Sequence, residues 1–224
     1  MSSTPLPALP ESLPGGKLLE YFTPDYIRGL LALYGDLKEL LRRDRGVYEI
    51  LDYDAAFTIF DAQGKRAVLN KQQKVRFLQE NVIAFQDYAW GDGAHFKRYR
   101  CTPGTVVDRY REGDRFNILV SLRQTKAKGD VETFYIEHHM LDAFTAGEEW
   151  CQVETRHRTK HLKLSVTFPK DRHCVSAQIL ERSQHKATSL GLEQFAVLPD
   201  GRQVVTWEAH NIKTFEIFTL KWCW

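Results

Sequence analysis

No run of eighteen consecutive apolar residues occurs in the 224-residue chain, so a membrane-spanning helix is not expected. Charge of one sign is also missing. Lys and Arg number 31 against 29 Asp and Glu, and the balance holds in both halves. A protein that coats nucleic acid needs a basic excess to neutralise phosphates, and this chain has none overall. Cysteine is scarce: Cys101, Cys151, Cys174 and Cys223 lie far apart with no C-x-x-C pair. They read as small buried hydrophobes with reduced thiols, since a chain with 43% hydrophobic residues needs no disulfide scaffold. The N-terminus shows neither a basic segment nor an apolar stretch of a secretory signal, which points to a cytoplasmic protein. The nucleophile elbow G-x-S-x-G, the phosphate loop G-x-x-x-x-G-K-[ST] and the dinucleotide fingerprint G-x-G-x-x-G after a strand are all absent. No motif names a reaction, and no cofactor is implied.

Residues 1–16 hold Pro5, Pro7, Pro10, Pro14, Gly15 and Gly16. That density of proline blocks helix and ladder hydrogen bonds, so a flexible tail is expected. Residues 24–43 then have the spacing of one amphipathic helix. Thr23 can cap it, Pro24 suits its first position, and Ile27, Leu30, Leu31, Tyr34, Leu37, Leu40 and Leu41 make an apolar stripe.

Beyond residue 46 the period changes to two. Extended runs are expected over 47–60, 65–79, 82–90, 105–110, 115–122, 131–140, 150–156, 161–168, 175–181, 203–208 and 214–222. Turn signals at Asp61-Ala62-Gln63-Gly64, Glu80-Asn81, Glu112-Gly113-Asp114 and Pro199-Asp200-Gly201 separate several of them. Leu162, Leu164, Val166 and Phe168 share one face, while Lys163, Ser165 and Thr167 share the other. Phe218, Trp222 and Trp224 share a parity and suggest a last strand sewn into a sheet. The reading is a mainly β chain: an antiparallel β-sandwich or open barrel over 17–224, with a possible division near 143–148 and one N-terminal helix.

Candidate sites follow from residue type. His157 and His161 have the i, i+4 spacing of a helical zinc pair but straddle a turn, so a metal is not favoured. Asp52 and Asp54 share a strand face, and with Asp87, His138, His157 and His161 they would serve a hydrolytic enzyme if brought together. Arg66, Lys74 and Arg76 share a parity and are expected to face acids such as Asp52 and Asp54 across the sheet; Lys71 lies among them. The segment holding Trp90, Asp92, Lys97, Arg98, Tyr99, Arg100, Arg109 and Tyr110 mixes aromatics with cations, the composition of a protein-binding hot spot. The same mixture suits single-stranded nucleic acid, through stacking and phosphate contacts. The leading expectation is a non-enzymatic, protein-binding accessory or regulatory module of a cytosolic, bacterial-type complex. A hydrolase and a single-strand binder are the rivals.

Overall fold

A computed structural model describes residues 46–90, 98–113 and 115–224, without the side chain of Trp90. The expected tail 1–16, the helix 24–43, Asp92 and Lys97 lie outside the described residues. Residues 46–224 form one compact unit. Fourteen strands account for most of it. They are β1 (Tyr48–Ile59), β2 (Arg66–Phe77), β3 (Val82–Trp90), β4 (Arg98–Thr102), β5 (Thr105–Glu112), β6 (Arg115–Lys126) and β7 (Val131–Leu141), followed by β8 (Glu148–Thr155), β9 (Thr159–Phe168), β10 (Ser176–Glu181), β11 (Lys186–Ser189), β12 (Phe195–Val197), β13 (Gln203–Ile212) and β14 (Glu216–Cys223). Two short 3-10 turns, Arg182–Gln184 and Leu192–Gln194, interrupt them.

The strands form three sheets, ordered β12-β13-β9-β1-β2-β7-β4, β11-β10-β14-β8 and β3-β6-β5. The seven-stranded sheet is one layer, and the two smaller sheets cover its inner face. Ring contacts fix this arrangement. Phe85 of β3 stacks on Phe134 of β7 with centroids 3.9 Å apart and leans on Tyr48 of β1 at 5.5 Å. On the other side, Trp222 of β14 meets Phe168 of β9 edge-on at 5.6 Å, and Phe218 meets Trp207 of β13 at 4.9 Å. The alternation read over 161–168 holds: Leu162, Leu164, Val166 and Phe168 are fully buried.

Two expectations are corrected. The pairing is not wholly antiparallel, because β1 runs parallel to β9, with Tyr53 beside Leu162 and Phe57 beside Val166. More than ninety residues separate these strands, room for the crossover that a parallel pair needs. Residues 98–102, left outside the expected strands, form β4 at the edge of the large sheet, paired with β7.

The turn at residues 61–64 shows how sequence sets local geometry here. Both carboxylate oxygens of Asp61 accept backbone hydrogen bonds at 3.0 Å, from Lys65 and Arg66. Gly64 lies at φ +68°, and its carbonyl accepts from Phe144 N at 3.1 Å. A Cβ at Gly64 would sit 1.5 Å from the Phe144 carbonyl oxygen, so only glycine fits. This contact ties the β1–β2 turn to Phe144, a wall of the cavity described next.

Candidate ligand cavity

The covering layer is split. β3 edges the three-stranded sheet and β8 edges the four-stranded one. They are joined at one end by charge: the Tyr88 ring lies against Arg156 at 4.5 Å and Arg115 at 5.4 Å, and Glu154 accepts from Arg156 at 3.1 Å. Beyond that clamp the gap opens as a cavity of about 510 Å³, within the range of small-molecule sites. Tyr53, Ala55, Phe57, Leu69, Met140 and Phe144 supply apolar lining. Ala89 and Val153 stand on the two walls, and Trp150 and Arg182 also border the space.

Lys71 and His138 are the buried polar residues lining it, at 5% and 2% exposure. Strand parity explains the lysine. Ala67, Lys71, Gln73, Val75 and Phe77 all fall on the inward face of β2, so Lys71 enters the core while Arg66, Lys74 and Arg76 face out. A lone buried ammonium is costly, and it is paired here. Lys71 Nζ donates to Asp87 Oδ1 at 2.5 Å and to the Tyr88 carbonyl at 2.9 Å. Tyr99 donates its hydroxyl proton to Asp87 Oδ2 at 2.8 Å.

Burial pulls the Lys71 ammonium towards neutrality, but the charge of Asp87 and the other surrounding groups outweigh it and hold the pKa above the ordinary lysine value. Burial, and then the Asp87 charge, push the Tyr99 phenol far up and the Cys101 thiol up to about 12. The cavity therefore borders a neutral ion pair ringed by protonated phenol and thiol. An ammonium has three protons to donate, and the described residues accept two of them. A ligand oxygen fits the third.

The expected binding group is only partly assembled. Arg98 and Arg100 are exposed on β4, opposite His139 and Glu137. Tyr99 between them turns inward and is 7% exposed, so it cannot serve as a stacking platform for a base. Arg109 of β5 lies 5.4 Å over the buried Tyr99 ring, while Tyr110 is half exposed.

Of the carboxylates and histidines weighed for catalysis, His138 lines the cavity and Asp87 borders it through Lys71, while Asp52, Asp54, His157 and His161 lie elsewhere. Asp52 meets His161 at 2.6 Å, and Asp54 meets Lys163 at 3.4 Å, on the outer face of the large sheet. The basic strand finds other acids than the two expected: Asp52 stands opposite Lys74 in register but is engaged by His161, while Arg66 pairs with Asp61 at 3.3 Å and Arg76 with Glu49 at 3.2 Å. Hydrogen bonding of the His161 ring to the Asp52 carboxylate, and then to Glu208, raises its pKa. Among the described residues, no three potential metal ligands meet at the cavity. All four cysteines are free thiols.

His157 packs on Tyr48, ring centroids 4.0 Å apart, and burial lowers its pKa to about 4. Its folded value is depressed, so on acidification the unfolded chain takes up this proton first. The stabilisation is present above about pH 6.5 and is lost as the pH falls towards 4. Between pH 7.5 and 4.5 this amounts to about 2–3 kcal/mol. In His157→Leu that part of the acid loss should vanish, read from urea midpoints at the two pH values. Parallel pH profiles in the two proteins would show that the ring is not buried as a neutral imidazole.

No family model matches the chain, and no curated protein does. Solved structures are similar at a low level. An M1 zinc metallopeptidase from Deinococcus radiodurans superposes with a TM-score of 0.44 and 12% identity, over 77% of this chain and 42% of that one. A candidate protease from Parabacteroides distasonis gives 0.46 and 12%, over 79% and 40%. The chain spans less than half the length of either protein, and a likeness this slight carries no argument about activity.

Proposed function

We propose that this chain is a non-enzymatic binding module that holds a small amphipathic molecule in the gap between β3 and β8. The observation that supports this reading is a cavity of about 510 Å³ with an apolar lining and two buried polar residues, Lys71 and His138. The ligand's apolar body lies against Phe57, Leu69, Met140 and Phe144. An acceptor oxygen at its head accepts a hydrogen bond from the Lys71 ammonium. A compact acid or a dication is disfavoured, because Asp87 already neutralises the lysine.

An accessory role beside another protein fits the same chain. β5 is the outer strand of its sheet, with Val107 56% and Tyr110 50% exposed and arginines at 109 and 111. Edge strands with exposed aromatics and arginine are surfaces that partners use. Free thiols suit a reducing compartment.

An anilinonaphthalene sulfonate dye tests the cavity. One saturable site per chain is expected at 25 °C, with the melting temperature rising as the dye saturates the folded protein. Ala89→Phe places a ring in the cavity wall and should weaken binding tenfold or more, and Ala143→Leu provides a second obstruction if the first variant folds poorly. Equal dye affinity in both folded variants and the parent would contradict the proposal.

A further inference from the structure

The outer face of the seven-stranded sheet carries a separate set of ligating side chains. β13 pairs antiparallel with β9, and His210 stands directly opposite His161. Glu208, two residues before His210, shares its face. On the other side of β9, the parallel β1 sets Tyr53 beside Leu162, which brings Asp52 next to His161. Asp52, His161, Glu208 and His210 thus come from three adjacent strands and lie up to 158 residues apart in sequence.

The contacts are specific. Asp52 Oδ1 lies 2.6 Å from His161 Nδ1, which fixes the ring and leaves Nε2 facing Glu208 Oε2 at 3.4 Å. The His161 and His210 rings lie nearly parallel with centroids 4.7 Å apart. One ligand atom from each of His161, Glu208 and His210 falls within 4.8 Å of the other two. In a tetrahedral zinc site with bonds of about 2.0–2.1 Å, neighbouring ligand atoms are about 3.4 Å apart. The His161–Glu208 pair already has that spacing, and His210 needs a side-chain adjustment of about an ångström.

We propose that His161 Nε2, the Glu208 carboxylate and a His210 ring nitrogen bind one zinc ion, with Asp52 as the positioning residue. Two imidazoles and a carboxylate are the donors that zinc prefers, whereas magnesium and calcium select all-oxygen sites. A carboxylate on the far nitrogen of a ligating histidine orients the ring and strengthens it as a donor. The charges of Asp52 and Glu208 together balance a dication. The neighbouring Lys163 is engaged by Asp54 at 3.4 Å. Access is open: β12 pairs only with residues 203–205 of β13, so among the described residues no strand covers the outer edge of β13 at Glu208 and His210. Three protein ligands leave a fourth position for water or for a donor atom of a bound molecule.

The test is calorimetric titration of the full chain, free of any polyhistidine tag, with zinc chloride. One saturable site is expected, with no corresponding heat for magnesium. His210→Ala and His161→Ala should each weaken the site at least tenfold. Asp52→Asn should weaken it by about 10–100-fold with the metal-free melting temperature unchanged. His157→Leu should bind zinc as the parent does. Cobalt in place of zinc should give visible absorption bands that change in His210→Ala. Absence of a saturable zinc site, or parental affinity in both histidine variants, would overturn the proposal and leave the group an ordinary hydrogen-bonded surface cluster.

Discussion

Asp87→Ala should destabilise the protein by about 3–5 kcal/mol, the penalty for leaving a buried charge without its partner. Lys71 is 5% exposed and Asp87 2%, so water cannot replace the lost carboxylate without opening the core. Lys71→Met should be nearly as severe, since among the described residues the Asp87 carboxylate would keep as side-chain partner the neutral Tyr99 hydroxyl alone. The double variant Lys71→Met/Asp87→Leu should recover most of the loss or exceed the parent, because a well-packed apolar pair avoids desolvating two ions. Urea unfolding of the parent, Lys71→Met, Asp87→Leu and the double variant closes the cycle and measures the coupling. Single-variant losses below about 1 kcal/mol would match an exposed pair and show that water reaches the site. The double variant, if folded, should also bind the sulfonate dye less tightly, having lost the ammonium that meets its head.

Deleting residues 221–224 should abolish cooperative folding near 37 °C. Trp222 is 2% exposed and packs against Phe144 at 5.3 Å and Phe168 at 5.6 Å. Its loss alone costs about 3–5 kcal/mol. The deletion also removes the pairing of Trp222 with Ala177 and Glu149, and of Cys223 with Ser176 and Glu148, together with the Trp224 indole hydrogen bond to the Ala146 carbonyl at 2.7 Å. Domains are stable by about 5–15 kcal/mol in all, so the combined loss approaches the whole. Trp222→Phe should be far milder. Among the described residues the buried Trp222 N–H has no hydrogen-bond partner, and phenylalanine removes it. Thermal melts followed by circular dichroism separate these cases. An unchanged melting temperature in the deletion variant would mean that β14 does not close the second layer.

The β character, the turns and the final strand were legible because each is written in local alternation. Leu162 to Phe168 shows it with every second residue apolar. Lys71 was legible too, but by a different comparison. It shares parity with Ala67, Val75 and Phe77, whereas Arg66, Lys74 and Arg76 have the opposite one. Counted by parity rather than by proximity, it is the basic residue that must enter the core. Asp87, between Phe85 and Ala89, carries the same signal, and so does Tyr99, two residues before Cys101. The parallel pairing of β1 with β9 had no local signature, because it depends on which distant strands meet. For the same reason Glu208 and His210 gave no hint of His161, since only the β9–β13 register brings them together.

Met140 offers the most direct test of the cavity as a ligand site. The chain has two methionines, and Met140 lines the cavity. With ¹³C-methyl methionine, its resonance should shift saturably as the sulfonate dye is added, with the midpoint of the fluorescence titration, and should stay fixed in Ala89→Phe. Dye fluorescence that saturates while the Met140 methyl does not move would place the bound molecule elsewhere and contradict the account.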